Sequence, residues 1–113
     1  MEPIPRNIVY LELDDGKSPF REWFENLKDK KAQITVDARL ARVRDGNFGD
    51  HKSVGDGVFE LRISLGKGLR IYYGLDGDTL VIVLCAGDKG SQRRDIGKAK
   101  ELWSKYLDEK DRL

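Results

Sequence analysis

Apolar and polar residues follow two different rhythms along this chain. Ile8-Val9-Tyr10-Leu11-Glu12-Leu13 is a short β-prone run, ended by the turn residues Asp14-Asp15-Gly16. Ser18-Pro19 reads as an N-cap followed by proline at the first helical position. Phe20, Trp23, Phe24 and Leu27 then fall at i, i+3, i+4 and i+7, the stripe of a short amphipathic helix, which Asp29-Lys30-Lys31 interrupts. A second helix is predicted from about Lys31 to Arg44. Ala32, Val36, Leu40 and Val43 form its stripe, Ile34, Ala38 and Ala41 widen it, and Asp45-Gly46-Asn47 closes it. Arg39, Arg42 and Arg44 fall largely outside that stripe. Two helices joined by a short polar link predict an antiparallel helical hairpin.

From Val58 the period changes to two. Phe59, Leu61, Ile63 and Leu65 alternate with Glu60, Arg62 and Ser64. After Gly66-Lys67-Gly68, Leu69, Ile71, Tyr73 and Leu75 alternate with Arg70, Tyr72 and Gly74, which is a hairpin signal. Asp76-Gly77-Asp78 makes another turn. Thr79 to Ala86 is apolar on both faces and reads as a central strand. Gly87-Asp88-Lys89-Gly90 is a loop, and Ser91 opens a last helix carrying Ile96, Ala99, Leu102, Trp103, Tyr106 and Leu107. The expected order is β-α-α-β-β-β-α. This is an α+β domain over residues 1–113, with a mainly antiparallel sheet packed against an N-terminal helical hairpin and a C-terminal helix. Both Trp23 and Trp103 lie on helix stripes and read as core.

Matching the apolar sets of the two hairpin strands pairs Leu65 with Leu69, Ile63 with Ile71 and Leu61 with Tyr73. On the other face Arg62 and Arg70 become diagonal neighbours, about 7–8 Å apart at the backbone. Two guanidinium groups so placed repel each other unless an anion sits between them. A phosphate suits them, because arginine offers a planar fork to two of its oxygens. The plainer reading is a solvated face on which Glu60 pairs with one of the arginines.

Charge sharpens this picture. The net charge of the 113 residues is +1, so a uniformly basic surface is excluded and any nucleic-acid contact must come from a local patch. Lys89, Arg93, Arg94, Lys98 and Lys100, opposed by Asp95 alone, form such a patch. Residues 1–15 are acidic, with Arg6 against Glu2, Glu12, Asp14 and Asp15. Lys89 follows the central strand directly, so if that strand pairs with its predecessor its exit lies beside the arginine pair. Lys67 in the hairpin turn is by default a solubility residue, and Lys52 adds charge just before the sheet. A basic run at a helix start is equally well a solvated face.

Candidate acid–base groups are few. His51, in a loop, has an unperturbed pKa of about 6.5 and could act as acid or base, or be a plain surface residue. Tyr72, on the arginine face, is a candidate for stacking or proton transfer. Cys85, the one cysteine, sits in an apolar run and reads as a reduced core thiol. One His and one Cys do not make a multi-ligand zinc site, and Asp88 with Asp95 is too little for magnesium, so no metal and no cofactor is expected. Phosphate-loop and dinucleotide fingerprints are missing, and nothing marks a serine nucleophile. Met1-Glu2-Pro3-Ile4-Pro5 has no basic n-region, and the longest apolar run falls short of the roughly 20 residues of a membrane helix. A cytoplasmic location is expected.

Four segments, in order, carry a resemblance: Gly57-Val58-Phe59-Glu60-Leu61-Arg62-Ile63, Gly68-Leu69-Arg70-Ile71-Tyr72-Tyr73, Leu84-Cys85-Ala86-Gly87-Asp88-Lys89-Gly90 and Asp95-Ile96-Gly97-Lys98-Ala99. Together they resemble the RelE/ParE superfamily of toxins, most of all its HigB-like branch of addiction-module killer proteins, over nearly the whole chain. The resemblance implies the toxin of a type II toxin–antitoxin pair, with a RelE-like arrangement of the elements. Ribonuclease members cleave messenger RNA in the ribosomal A site without a metal. The ribose 2′-OH attacks the adjacent phosphate, leaving a cyclic phosphate and a free 5′-OH. By the same resemblance Arg70 is the phosphate-binding arginine, Arg62 the basic strand residue and Lys89 the basic residue after the last strand.

Tyr72, His51 and Glu60 are left as candidates for acid and base, because Ile96 stands where some relatives carry a C-terminal tyrosine and the chain has no C-terminal histidine. Lys52, Lys67, Arg93, Arg94 and Lys98 are the expected RNA contacts. The implied partners are a cognate helix-turn-helix antitoxin, the ribosome and its messenger, and promoter DNA only through the antitoxin. Two other readings stay open: a non-enzymatic, ParE-like inhibitor of DNA gyrase, and an inactive RNA-binding module.

Overall fold

In the computed structural model, which describes residues 4–112, the two rhythms become a five-stranded mixed sheet with three helices. Met1, Glu2 and Pro3 lie outside the described residues, so the reading of the amino terminus as lacking a leader rests there on sequence alone. The elements are β1 (Asn7–Tyr10), α1 (Pro19–Glu25), α2 (Lys30–Arg44), β2 (His51–Gly55), β3 (Val58–Ile63), β4 (Leu69–Asp76), β5 (Leu80–Asp88), a 3-10 turn (Lys89–Ser91) and α3 (Gln92–Asp111). The sheet order is β1-β5-β4-β3-β2. β1 runs parallel to β5 and every other pairing is antiparallel.

Both faces of the sheet are covered, which is why β5 is apolar from Leu80 to Ala86. Phe20 of α1 and Ala32, Val36, Leu40 and Val43 of α2 pack on one face, against Leu61, Ile71, Tyr73 and Val83 among others. Ala99 and Trp103 of α3 pack on the other, with Val58, Tyr72, Ile82 and Leu84. The Ser18 hydroxyl caps α1 by accepting from the Arg21 N–H (3.2 Å), with Pro19 at its first position. Asp29 caps α2 by accepting from the Lys31 N–H (2.9 Å). Gln33 of α2 donates to the Phe24 carbonyl of α1.

Several expectations need correction. The buried stripe of α2 is narrow: Ala38 and Ala41 are exposed and Ile34 is 68% exposed. Trp23 is half-buried at the core edge, whereas Trp103 is buried. A fourth antiparallel strand, β2, occupies the segment expected to be loop. His51-Lys52-Ser53 is exposed and polar on both faces, so no alternation betrays it; its ladder with β3 holds it at the sheet edge. The two-residue turn Asp56-Gly57 that joins them has positive φ at both positions (55° and 83°), as a type I′ hairpin requires. Ser91 makes no side-chain cap to α3; instead Asp88 accepts from the Gly90 and Ser91 N–H groups and caps the 3-10 turn.

The β3–β4 register also differs by two residues from the one expected. Ile63 faces Leu69, Arg62 faces Arg70, Leu61 faces Ile71 and Glu60 faces Tyr72. The loop therefore runs from Ser64 to Gly68, closed by the Gly68 N–H donating to the Leu65 carbonyl. Matching apolar sets cannot distinguish registers that differ by two, because both keep the same faces.

Candidate functional site

The corrected register makes Arg62 and Arg70 direct cross-strand partners rather than diagonal ones. Arg70 faces Gly87 on β5, and Leu69 faces Asp88. The chain leaves β5 by donating the Lys89 N–H to the Gly68 carbonyl (2.9 Å). A Cβ placed on Gly68 would lie 3.7 Å from the Lys89 Cβ and 3.2 Å from Arg70 Nη1. The Lys89 backbone thus lies against Gly68, just before Arg70, at the end of the sheet where the chain turns into α3.

The pair is not bare. Glu60, two residues before Arg62 on the same face, is completely buried. Its Oε1 lies 3.4 Å from Arg62 Nε and 3.8 Å from Arg70 Nε, and its Oε2 accepts a hydrogen bond from Gln92 Nε2 (2.8 Å). The Arg70 side chain is itself 9% exposed and that of Arg62 38%, so Arg62 is the more open of the two. Arg70 Nη1 donates to the Leu69 carbonyl. Glu60 Oε1, Arg70 Nε and the Tyr72 hydroxyl are all buried without a hydrogen-bond partner. On the solvated-face reading Glu60 pairs with one arginine; in the structure it lies near both.

Tyr72 faces Glu60 across the ladder and is fully buried beneath α3. It cannot serve as a stacking platform for a base, because no face of its ring reaches the surface. Burial first, and the Glu60 carboxylate second, hold its phenol protonated far above the ordinary range, so it is no base and is a weaker acid than a free phenol. His51 faces Leu61, which places it on the opposite side of the sheet from the arginine pair. Its Nδ1 lies 2.8 Å from the Gly49 carbonyl and its ring leans on Phe48. His51 does not join the site.

The other expected contacts divide. Lys52 faces Glu60 from the edge strand, on the arginine side, and is exposed. Lys67 is exposed in the β3–β4 loop. Arg93, Arg94 and Lys98 are exposed on the first turns of α3, where among the described residues no carboxylate lies within 4.0 Å. Lys100 pairs with Asp56 (3.6 Å) and so leaves the basic cluster.

Three supporting residues escaped the sequence reading. Asp95 is buried and accepts from the Ser91 hydroxyl; a Cβ on Gly87 would come within 1.9 Å of its Oδ2, so glycine there lets α3 start against β5. Arg39 donates to the carbonyls of Arg62 (2.8 Å), Phe48 (2.8 Å) and Asp50 (2.7 Å), tying the loop before β2 to the strand that carries Arg62. Gln92 carries the contact to Glu60. Glycine in a strand that exits toward a helix was the available signal for the first; arginine off the apolar stripe of α2 was the signal for the second.

Cys85 is a free, buried thiol, as expected, and burial with the nearby Asp95 charge pushes it up to about 12. Among the described residues no group of three or more His, Cys, Asp or Glu side chains is placed to hold a metal ion. No described helix is long and apolar enough to cross a membrane.

Residues 22–104 match the family described as phage-derived protein Gp49-like (DUF891). An uncharacterised protein of Haemophilus influenzae is 49% identical over 83 residues, which cover 74% of this chain and 84% of that protein. The match spans both helix-covered faces of the sheet and every residue of the Glu60, Arg62, Arg70 and Lys89 cluster, and the chain belongs to the Gp49-like phage-derived family, a RelE/ParE-like toxin family.

Proposed function

We propose that this chain is the toxin of a type II toxin–antitoxin pair, of the HigB-like branch, and that it cuts messenger RNA in the ribosomal A site without a metal ion. The observation that supports this most is Arg62 facing Arg70 across the ladder, with the Lys89 N–H donating to the carbonyl of Gly68 in the loop before Arg70. In the reaction the 2′-OH oxygen bonds to the adjacent phosphorus, the P–O5′ bond breaks, and the 5′ oxygen takes a proton. Negative charge builds on the phosphorane, and guanidinium and ammonium groups fixed before reaction stabilise it. Arg70 and Arg62 hold the phosphate, Lys89 faces the developing charge, and the exposed Arg93, Arg94, Lys98, Lys52 and Lys67 follow the RNA backbone. Tyr72 is fully buried with its phenol held protonated, so it serves as neither base nor ready acid, and the catalysis is led by charge. The antitoxin, a helix-turn-helix protein, covers the basic face and carries the pair to promoter DNA. The protein acts in the cytoplasm.

One observation favours a second reading, a ParE-like gyrase inhibitor or an inactive RNA-binding module: Glu60 and Tyr72 are fully buried and His51 lies across the sheet. Adding the purified protein to a translating extract and mapping RNA 5′ ends separates the readings. Cuts in A-site codons that vanish with Arg70→Ala support the nuclease. Intact messenger with DNA breaks and an SOS response on expression supports the gyrase inhibitor.

A further inference from the structure

We propose that Glu60 and Gln92 are positioning residues that hold Arg62 and Arg70 in one orientation toward an RNA phosphate. The role in phosphate binding rests on the nuclease reading above; the clamp itself rests on geometry. Two guanidinium groups facing each other across a ladder repel and, left alone, splay apart. Glu60 opposes this from the adjoining position on the same face, with one carboxylate oxygen near both Nε atoms. The carboxylate is completely buried, so its field is weakly screened by water.

Both contacts are longer than a hydrogen bond and are made through Nε, so Glu60 captures neither guanidinium fork in a bidentate pair. The carboxylate orients the arginines while leaving donors for an incoming anion. Its own position is fixed by Gln92, the first residue of α3, at 2.8 Å. An amide suits this task. It donates to the carboxylate without cancelling its charge, as a lysine or arginine would. The start of α3 is in turn seated by Gly87 beneath Asp95 and Ser91. Helix α3 therefore reaches the phosphate grip through one side chain.

The test is Gln92→Met, which keeps the length and packing of the side chain and removes the donor. The readouts are the Nε–H resonances of Arg62 and Arg70 and the affinity for a short RNA oligonucleotide made uncleavable by 2′-deoxy substitution. The expected result is a shift of both resonances and an affinity loss of about tenfold, with a lowered melting temperature from the buried carboxylate left without its donor but a chain still folded at the assay temperature. Unchanged resonances in Gln92→Met overturn the clamp, whatever the RNA does. Rapid exchange of the Arg70 Nε–H with water in the parent chain overturns it without any variant. A parent chain that ignores the oligonucleotide, but whose resonances respond to Gln92→Met, keeps the clamp and removes the RNA reading.

Discussion

Arg62 stands directly opposite Arg70 across the β3–β4 ladder, and the two share one buried carboxylate, Glu60. This arrangement costs stability if the carboxylate is lost. Arg70 is nearly buried, so Glu60→Ala leaves its charge uncompensated inside the protein, a loss of about 3–5 kcal/mol for a broken buried pair. Arg62→Ala removes a partly exposed partner and should cost about 1 kcal/mol or less. Urea unfolding of the two variants measures the difference. Equal losses would mean that Glu60 does not compensate Arg70.

Trp103 packs flat on the backbone of Gly74, where a Cβ would come within 2.5 Å of its ring. The ring is also stacked on Tyr106, with centroids 5.2 Å apart, and has little room to yield. Gly74→Ala should therefore lower stability by about 1–3 kcal/mol through overpacking and alter tryptophan fluorescence. Thermal unfolding followed by fluorescence checks both.

Cys85 is 3% exposed, and its thiol is raised from 9.0 to about 12. A rise of that size cuts the thiolate fraction about a thousandfold near neutral pH, because the thiolate is the reactive form. Iodoacetamide at pH 8 should leave the native chain unmodified and label it on unfolding in urea. Labelling of the native protein at the rate of a free thiol would show that the α3 face opens readily.

Asp76 accepts hydrogen bonds from Lys110 and, next in weight, from Tyr106 Oη (2.6 Å), and these hold its carboxyl below its ordinary 3.8. A carboxyl depressed in the folded state binds its proton more weakly there than in the unfolded chain. Its contribution is therefore present above pH 3.8 and is lost as pH falls through the lower folded value. Asp76→Asn should be less stable than the parent at pH 7, with the two urea midpoints converging below pH 3.8. A gap that persists at pH 2 would assign the effect to something other than charge.

The sequence declares the parts of this fold that depend on faces and periods. The Ser18-Pro19 cap, the Ala32-Val36-Leu40-Val43 stripe and the doubly apolar β5 are all where periodicity puts them. It hides what depends on partners far along the chain. Strand β2 has no apolar face to announce it, and the Asp56-Gly57 pair, which suits a type I′ turn, is the one local mark of its hairpin. The register of Arg62 against Arg70 depends on loop length, which a two-residue shift leaves ambiguous. Glu60 looks like an ordinary outward-facing charge until Gln92, 32 residues later, folds over it. His51 lies only one residue from a site-facing position, but in a strand one residue is the whole thickness of the sheet.

We propose that Arg62, Arg70 and Lys89 together grip a phosphate of messenger RNA and drive its cleavage. Mapping RNA 5′ ends in a translating extract, with the parent chain and Arg70→Ala side by side, tests it most directly. The expected outcome is cuts within A-site codons bearing 5′-OH ends, reduced on the order of 10²–10³ in rate by Arg70→Ala, as for loss of one preorganised donor to a developing oxyanion. Messenger left intact by the folded parent chain, or cut equally well by Arg70→Ala, would contradict it.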